Sequence, residues 1–273
     1  MKYSIRQFQQ DFPNEDVCLD YIFRKRYPEA QQYYRVKGRK CYADTQGKQI
    51  HPLKGTIFEK SATPLTLWFY AIFLFSQAKN GVSAKELERQ LGVTYKCAWR
   101  IANKIRSLMG GDDDKLTGII EVDEAYIGGK SVNGRHLHKT IADKEVLLGM
   151  VEREGSARVK HIISSGARVL IPAIKANVDP TAQIYSDSYG AYNGLDKQGF
   201  NHESVNHLQN EWVRNGIHTN TIEGFWSQLK RSINGTYHSV SPKYLQNYAD
   251  EFAFRYSLRK SPYPMFDLLM KQV

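Results

Sequence analysis

From Ile222 onward the apolar side chains fall at helical intervals: Phe225, Leu229 and Ile233 follow at offsets of three, four and four, with Trp226 at the edge of the stripe. Asn220, Glu223, Ser227 and Lys230 recur on the opposite side at the same spacing. This pattern predicts an amphipathic helix over 218–231, with a carboxylate in its first turn and an ammonium two turns further along. Asn220, three residues before Glu223, reads as an N-cap with its capping-box partner. Alone, such a pattern describes an ordinary capped surface helix.

Upstream, Phe8, Phe12, Val17, Leu19, Tyr21, Ile22 and Phe23 anchor a helical segment over 1–32, with Pro13 starting a second helix. Residues 33–60 are short-period, basic and rich in turn pairs (Lys37-Gly38, Gln46-Gly47, Lys54-Gly55), which predicts β-hairpins in a small module. From Pro64 the period is helical again and runs to the Asn80-Gly81 stop. Ser83 caps a helix that ends near Gly92, and Thr94 opens another towards Met109. Two helices around a glycine turn have the size of a helix-turn-helix, assigned here to 61–110. Tyr95, Lys96, Arg100, Lys104 and Arg106 give the second helix a basic, hydrogen-bonding surface, with Ala98, Ile101 and Ile105 on its apolar side.

Gly110-Gly-Asp-Asp-Asp114 is a polar break and the expected domain boundary. Beyond it, strands are expected over 116–127, 146–153 and 158–164, then a helix over 170–178 and a strand over 182–186. A short helix over 189–195, a weaker strand near 204–206, the helix first described and a last helix over 242–259 complete a β-β-β-α-β-α-β-α order. The polar connection after the first strand holds Arg135, His136, His138 and Lys139. The segment 261–273 is expected to be a C-terminal tail.

Composition narrows the partners. Lysine and arginine outnumber aspartate and glutamate 38 to 28, for a formal charge of +10, which favours a polyanion such as double-stranded DNA. Leu65 to Phe75 is strongly apolar but too short to span a bilayer, and no signal peptide is expected, since Arg6, Asp11, Glu15 and Asp16 interrupt any apolar run at the N-terminus. The three cysteines, Cys18, Cys41 and Cys97, are too widely spaced for a disulfide framework, so a cytoplasmic, nucleoid-associated protein without a membrane partner is expected.

The candidate chemistry is acidic. Asp123 lies inside the first expected strand of the second half, where burying a carboxylate is costly unless it is paired or bound to metal. Asp187 ends the fourth, the position at which α/β sheets hold ligands. With Glu223 on a covering helix, they could converge as hard oxygen ligands for two Mg²⁺ or Mn²⁺ ions, with Lys230 contacting DNA phosphate. Glu121 and Glu124 flank Asp123, and Glu121 shares its strand face and could support it. Trp226 is expected to pack rather than stack on a base. His202, His207 and His218 match no standard zinc spacing.

Asp123-Glu-Ala-Tyr-Ile-Gly-Gly129, Ser186-Asp-Ser-Tyr-Gly-Ala-Tyr192, His218 through Trp226 with Lys230-Arg231, and Tyr248 through Arg255 together resemble bacterial insertion-sequence transposases of the ISXO-like DDE type. The likeness runs over about 45–260. It implies an α/β, ribonuclease-H-like catalytic domain (a mixed five-stranded sheet with helices) over 115–260, behind a ribbon remnant and the helix-turn-helix. It also implies divalent metal, cleavage at terminal inverted repeats and 3′-OH strand transfer by at least a dimer on DNA. Lys96, Arg100, Lys104, Tyr95, Lys230 and Arg231 are then the expected DNA contacts.

Two departures stand out. The family's N-terminal zinc ribbon carries paired cysteines, but here Cys41 stands alone with Asp44 after it, so 33–60 is a degenerate module with no structural zinc expected. The family's third metal-site residue is often asparagine, and both Asn220 and Glu223 are present; charge and spacing favour Glu223, while Asn220 either joins it or caps the helix. A nuclease or resolvase that cuts without joining, and a non-catalytic DNA-binding regulator, are the competing readings.

Overall fold

The computed structural model describes residues 3–111, 114–128, 144–206, 209, 213–214 and 216–273. Arg135, His136, His138, Lys139 and His207, named above, lie outside the described residues. The chain divides into two compact units: Met1–Ala78 with Val82–Leu108 and Ser261–Val273, and Lys79–Gly81 with Met109–Lys260. No described helix is long and apolar enough to cross a membrane.

In the first unit, α1 (Ile5–Asp11) is closed by a Ser4–Gln7 capping box. Helix α2 (Glu15–Arg26) begins two residues after Pro13, because the Asn14 side chain accepts from Val17 N–H and makes the cap. Three two-residue strands, β1 (Tyr34–Arg35), β2 (Tyr42–Ala43) and β3 (Gln49–Ile50), pair antiparallel. They are docked on α2. The Tyr42 ring stacks on Phe23 at 3.8 Å and its hydroxyl bonds Asp20, while Arg26 donates to the carbonyls of Pro52 and Lys54 at 2.6 and 2.8 Å. Cys41 is buried beside this contact. Helix α3 (Leu65–Gln77) buries Trp68, Phe69, Ile72 and Phe75, and the C-terminal helix Met265–Met270 packs against it through Phe266.

Helix α4 (Ala84–Leu91) is capped by Ser83, ends on Gly92 in the left-handed conformation, and is followed by α5 (Tyr95–Arg106), capped by Thr94. A residue with φ of 64° at this turn favours glycine, which needs no Cβ. Ala98, Ile101 and Ile105 are buried as their period requires. Tyr95, Lys96 and Arg100 are exposed and Lys104 is half-buried. Arg106 does not join that surface: it is 2% exposed, donates to the Val82 carbonyl at 3.0 Å and covers the Phe75 ring.

The second unit is built on a five-stranded sheet in the order 157–162, 145–152, 119–127, 183–187 and 201–205. Strands β4 (Ile119–Ile127), β5 (Glu145–Glu152) and β6 (Ala157–Ile162) form an antiparallel meander, and β7 (Gln183–Asp187) and β8 (Asn201–Val205) run parallel to β4. Leu116, expected within the first strand, instead makes an isolated bridge to Val178. Residues 189–195 give only a 3₁₀ turn at Gly190–Tyr192. The faint strand signal near 204–206 is the end of the full strand β8.

Helix α6 (Ala167–Asn177) covers one face, where Ile120, Val122, Leu148, Met150 and Ile184 meet Leu170 and Ile174. The other face is covered by α7 (Asn220–Ser232) and α8 (Leu245–Ser257). There Ala125, Leu147, Val151 and Val159 meet Ile222, Phe225, Trp226, Leu229 and Phe252. Covered on both faces, β5 reads as an unbroken apolar run, Val146-Leu-Leu-Gly-Met-Val151, rather than as an alternation.

Candidate active site on the central strand

Strand β4 carries three carboxylates. Alternation turns Glu121 and Asp123 towards α7 and Glu124 to the other face, where buried Tyr192 donates its hydroxyl to Glu124 Oε2 at 2.6 Å. Asp123 pairs across the sheet with Gly149. The space above Gly149 belongs to Trp226: a Cβ built on that glycine would lie 2.5 Å from Trp226 Cζ2 and 3.1 Å from Ile222 Cδ1. Trp226 is 4% exposed, so it packs as expected, and its indole N–H donates to Asp123 Oδ2 at 3.0 Å.

Asp187 ends β7, the neighbour of β4, and its Oδ1 accepts from the Tyr189 N–H at 3.0 Å. The Ser186 hydroxyl behind it donates to the Asp187 carbonyl at 2.6 Å. That uses the only hydroxyl proton, so His202 donates from Nε2 to Ser186 Oγ at 2.8 Å. The Asp123 carboxyl is pushed up to about 7, first by burial and then by the nearby charges of Glu124 and Asp187, against the lowering effect of the Trp226 bond. Glu124 is raised by burial and by Asp187, with the Tyr192 bond opposing.

The start of α7 differs from the expected capping box. Thr219, not Asn220, is the cap residue, and Asn220 is the first helical residue. The Thr219 hydroxyl donates to Glu223 Oε1 at 3.2 Å instead of closing the first turn. A carboxylate from the sheet takes the capping role. Glu121 Oε2 accepts the Ile222 N–H at 3.0 Å and its Oε1 accepts the Thr221 hydroxyl at 2.8 Å. Glu121 is fully buried, and Arg153 Nε donates to Oε1 at 2.7 Å, with His218 Nδ1 3.2 Å away. Arg153 also holds the carbonyls of Gly216 and His218 at 2.9 and 3.1 Å and lies over the Tyr185 ring at 4.9 Å.

Ile222, Phe225, Trp226, Leu229 and Ile233 are buried, while Asn220, Glu223, Ser227, Lys230 and Arg231 are exposed, as the periodicity requires. Asp123 and Asp187 are therefore brought within electrostatic reach of each other. Glu223 is not gathered with them, and no group of three or more His, Cys, Asp or Glu among the described residues is arranged to hold a metal ion. The aspartate pair itself fits a hard divalent cation. Two like charges oppose each other in a partly buried setting, and a cation between them would offset both the repulsion and the desolvation of Asp123. Sequence reasoning missed Arg153 and Gly149; a single glycine inside an otherwise apolar strand was the available sign of close approach.

Residues 115–257 match the model of the ISXO2-like transposase domain. Across 250 residues the chain is 26% identical to an uncharacterized protein in the transposable element ISH50 of Halobacterium salinarum, covering 84% of this chain and 82% of that protein. Across 88 residues it is 27% identical to an uncharacterized transposase-like protein of Haemophilus influenzae, covering 32% of this chain and 70% of that one. The mixed five-stranded sheet with its helices is consistent with a ribonuclease-H-like transposase domain. The chain belongs to the ISXO2-like transposase domain family of insertion-sequence proteins.

Proposed function

We propose that this protein cleaves DNA at transposon terminal inverted repeats and joins the freed 3′-hydroxyl to target DNA in a metal-dependent DDE reaction. The observation that carries the reading is the aspartate pair: Asp123 and Asp187 stand on adjacent parallel strands, and their mutual charge helps to hold the Asp123 carboxyl near neutrality. Asp123 and Asp187 would hold Mg²⁺ or Mn²⁺, and either Glu223 or Asn220, from the first turn of α7, would have to be drawn in as the third ligand. Ions held there would supply activation of the attacking oxygen and stabilisation of the departing one in an in-line displacement at phosphorus.

The chain's own residues do the rest. Trp226 orients the Asp123 carboxylate through one N–H, and Tyr189 N–H fixes that of Asp187. Lys230 and Arg231, exposed on the last turn of α7, take DNA phosphate, and the exposed face of α5 (Tyr95, Lys96, Arg100, with Lys104 beside it) binds duplex DNA. At least two protomers are required to join two transposon ends. No structural zinc is expected in the β1–β3 module, which is docked on α2 through Tyr42 and Arg26, so a chelator should leave the melting of the first unit unchanged.

A strand-transfer assay with matched terminal-repeat DNA and Mn²⁺ tests this reading. Joined products are expected from the wild type and none from Asp123→Ala or Asp187→Ala. Cutting without joining would give the chain to the nucleases, and DNA binding without cutting would make it a regulator. Separate Asn220→Ala and Glu223→Ala variants identify the third ligand by the larger loss.

A further inference from the structure

Two of the three hydrogen bonds that tie α7 to β4 among the described residues form a matched pair. Ile222 N–H reaches Glu121, and four residues later the Trp226 N–H reaches Asp123, two residues along the strand. Four helical residues rise about 6 Å and two strand residues about 6.6 Å, so the helix lies along β4 with a grip at each point. The second grip stands among apolar contacts from Phe225, Leu229 and Gly149. The first is polar. A fully buried carboxylate is costly unless every lone pair is used, and Glu121 uses its own on Arg153, Thr221 and Ile222. The positive end of the α7 dipole adds to the same attraction. Arg153 in turn holds the chain entering the helix by two carbonyls, so β4, the end of β5, the Tyr185 ring of β7 and residues 216–222 meet at one ion pair.

We propose that Glu121, gripped by Arg153, is a positioning residue that sets the register of the first turn of α7, and with it the placement of Asn220 and Glu223 in the active site. This role rests on the transposase reading, in which those two side chains serve the aspartate pair. The ion pair touches neither substrate nor reacting atom. It acts through the main chain of Ile222 and the carbonyls of Gly216 and His218.

The test compares the full chain with Glu121→Gln and Arg153→Lys, and with Phe252→Leu as a control that loosens the same apolar cluster away from the clamp. Amide hydrogen exchange at 221–224 should rise about tenfold or more in both clamp variants, while 229–232 stays near wild type. DNA cleavage at saturating DNA should fall about tenfold or more with DNA affinity retained, a loss in turnover rather than in binding. The control should lose comparable melting temperature yet keep first-turn protection and turnover. Unchanged exchange at 221–224 in Glu121→Gln, or an equal loss of turnover in Phe252→Leu, would overturn the proposal. A wild-type protein that cleaves no DNA would remove the transposase reading, and the exchange measurement would still judge the clamp.

Discussion

The indole N–H of Trp226 donates to Asp123 Oδ2 at 3.0 Å, so the residue that anchors the covering helix also orients the carboxylate at the centre of the sheet. Packing and chemistry are therefore joined at one bond. Trp226→Phe keeps most of the buried ring and removes the donor. Losing a hydrogen bond to a partly buried carboxylate should cost about 1–2 kcal/mol of stability. Because that bond lowers the proton affinity of Asp123, its loss should raise the carboxyl further. A thermal melt reads the first effect, and the carboxyl ¹³C shift of Asp123 across pH reads the second. An unmoved titration would show that the indole only fills space.

Asp123 also fixes a pH dependence. Its carboxyl stands at about 7 in the folded chain, against an ordinary aspartate value of about 4 in the unfolded one. Between these values the folded state holds a proton that the unfolded state has released, so stability should fall as pH rises through this window. Glu124, also raised, tilts stability the same way, whereas His202, lowered by burial, penalises pH below about 6.5. In chelator, melting temperature should therefore decline from weakly acidic to neutral pH, and Asp123→Asn should remove most of that slope. Added Mn²⁺ should raise the melting temperature most at the neutral end, where Asp123 gives up its proton.

On α5, exposure separates two kinds of basic residue. Lys96→Ala and Arg100→Ala should each weaken duplex binding and reduce the salt slope by about one, with no change in melting. Arg106→Ala should behave in the opposite way. It removes a guanidinium buried between the Val82 carbonyl and the Phe75 ring, so the first unit should melt earlier. Fluorescence anisotropy at two salt concentrations and a melting curve distinguish the two outcomes.

What was legible in the sequence follows from the range of the interaction responsible. The apolar stripe of α7 and the caps at Ser83 and Thr94 are written within four residues, and the structure has them where the spacing puts them. Local spacing points to Asn220 as the cap of α7, whereas the group that fills that role, Glu121, lies 101 residues upstream of Ile222 and becomes its neighbour only once the sheet has formed. Strand β8 is faint for another reason: Asn201-His-Glu-Ser lacks an apolar run because it lies at one edge of the sheet and its exposed positions alternate with half-buried ones. Arg106 shares the helix and the charge of the exposed residues, and only the packing of its far end shows that it belongs to the core. Asp123 and Asp187 stood out only through their strand positions taken together with Glu223 and the motifs around them, whereas nothing in the sequence joins Arg153 to Glu121.

Gly149 offers the sharpest test of how α7 is held. Its Cα faces Asp123 across the ladder, and a methyl there would come within 2.5 Å of the Trp226 ring. The ring cannot simply swing aside, since its N–H is bound to Asp123 and its flank packs on Phe225 at 5.3 Å. Gly149→Ala should therefore destabilise the second unit by about 1–3 kcal/mol, the usual cost of overpacking, even though alanine is the better residue in an unstrained strand. Trp226→Phe, with its smaller ring, withdraws the Cζ2–Cη2 edge of the indole that carries the clash, so the double variant should recover part of the loss. The coupling in a double-mutant cycle should be favourable by about 0.5 kcal/mol or more. Additive losses would mean that the strand, not the tryptophan, requires the glycine, and that α7 is seated by its other apolar contacts alone.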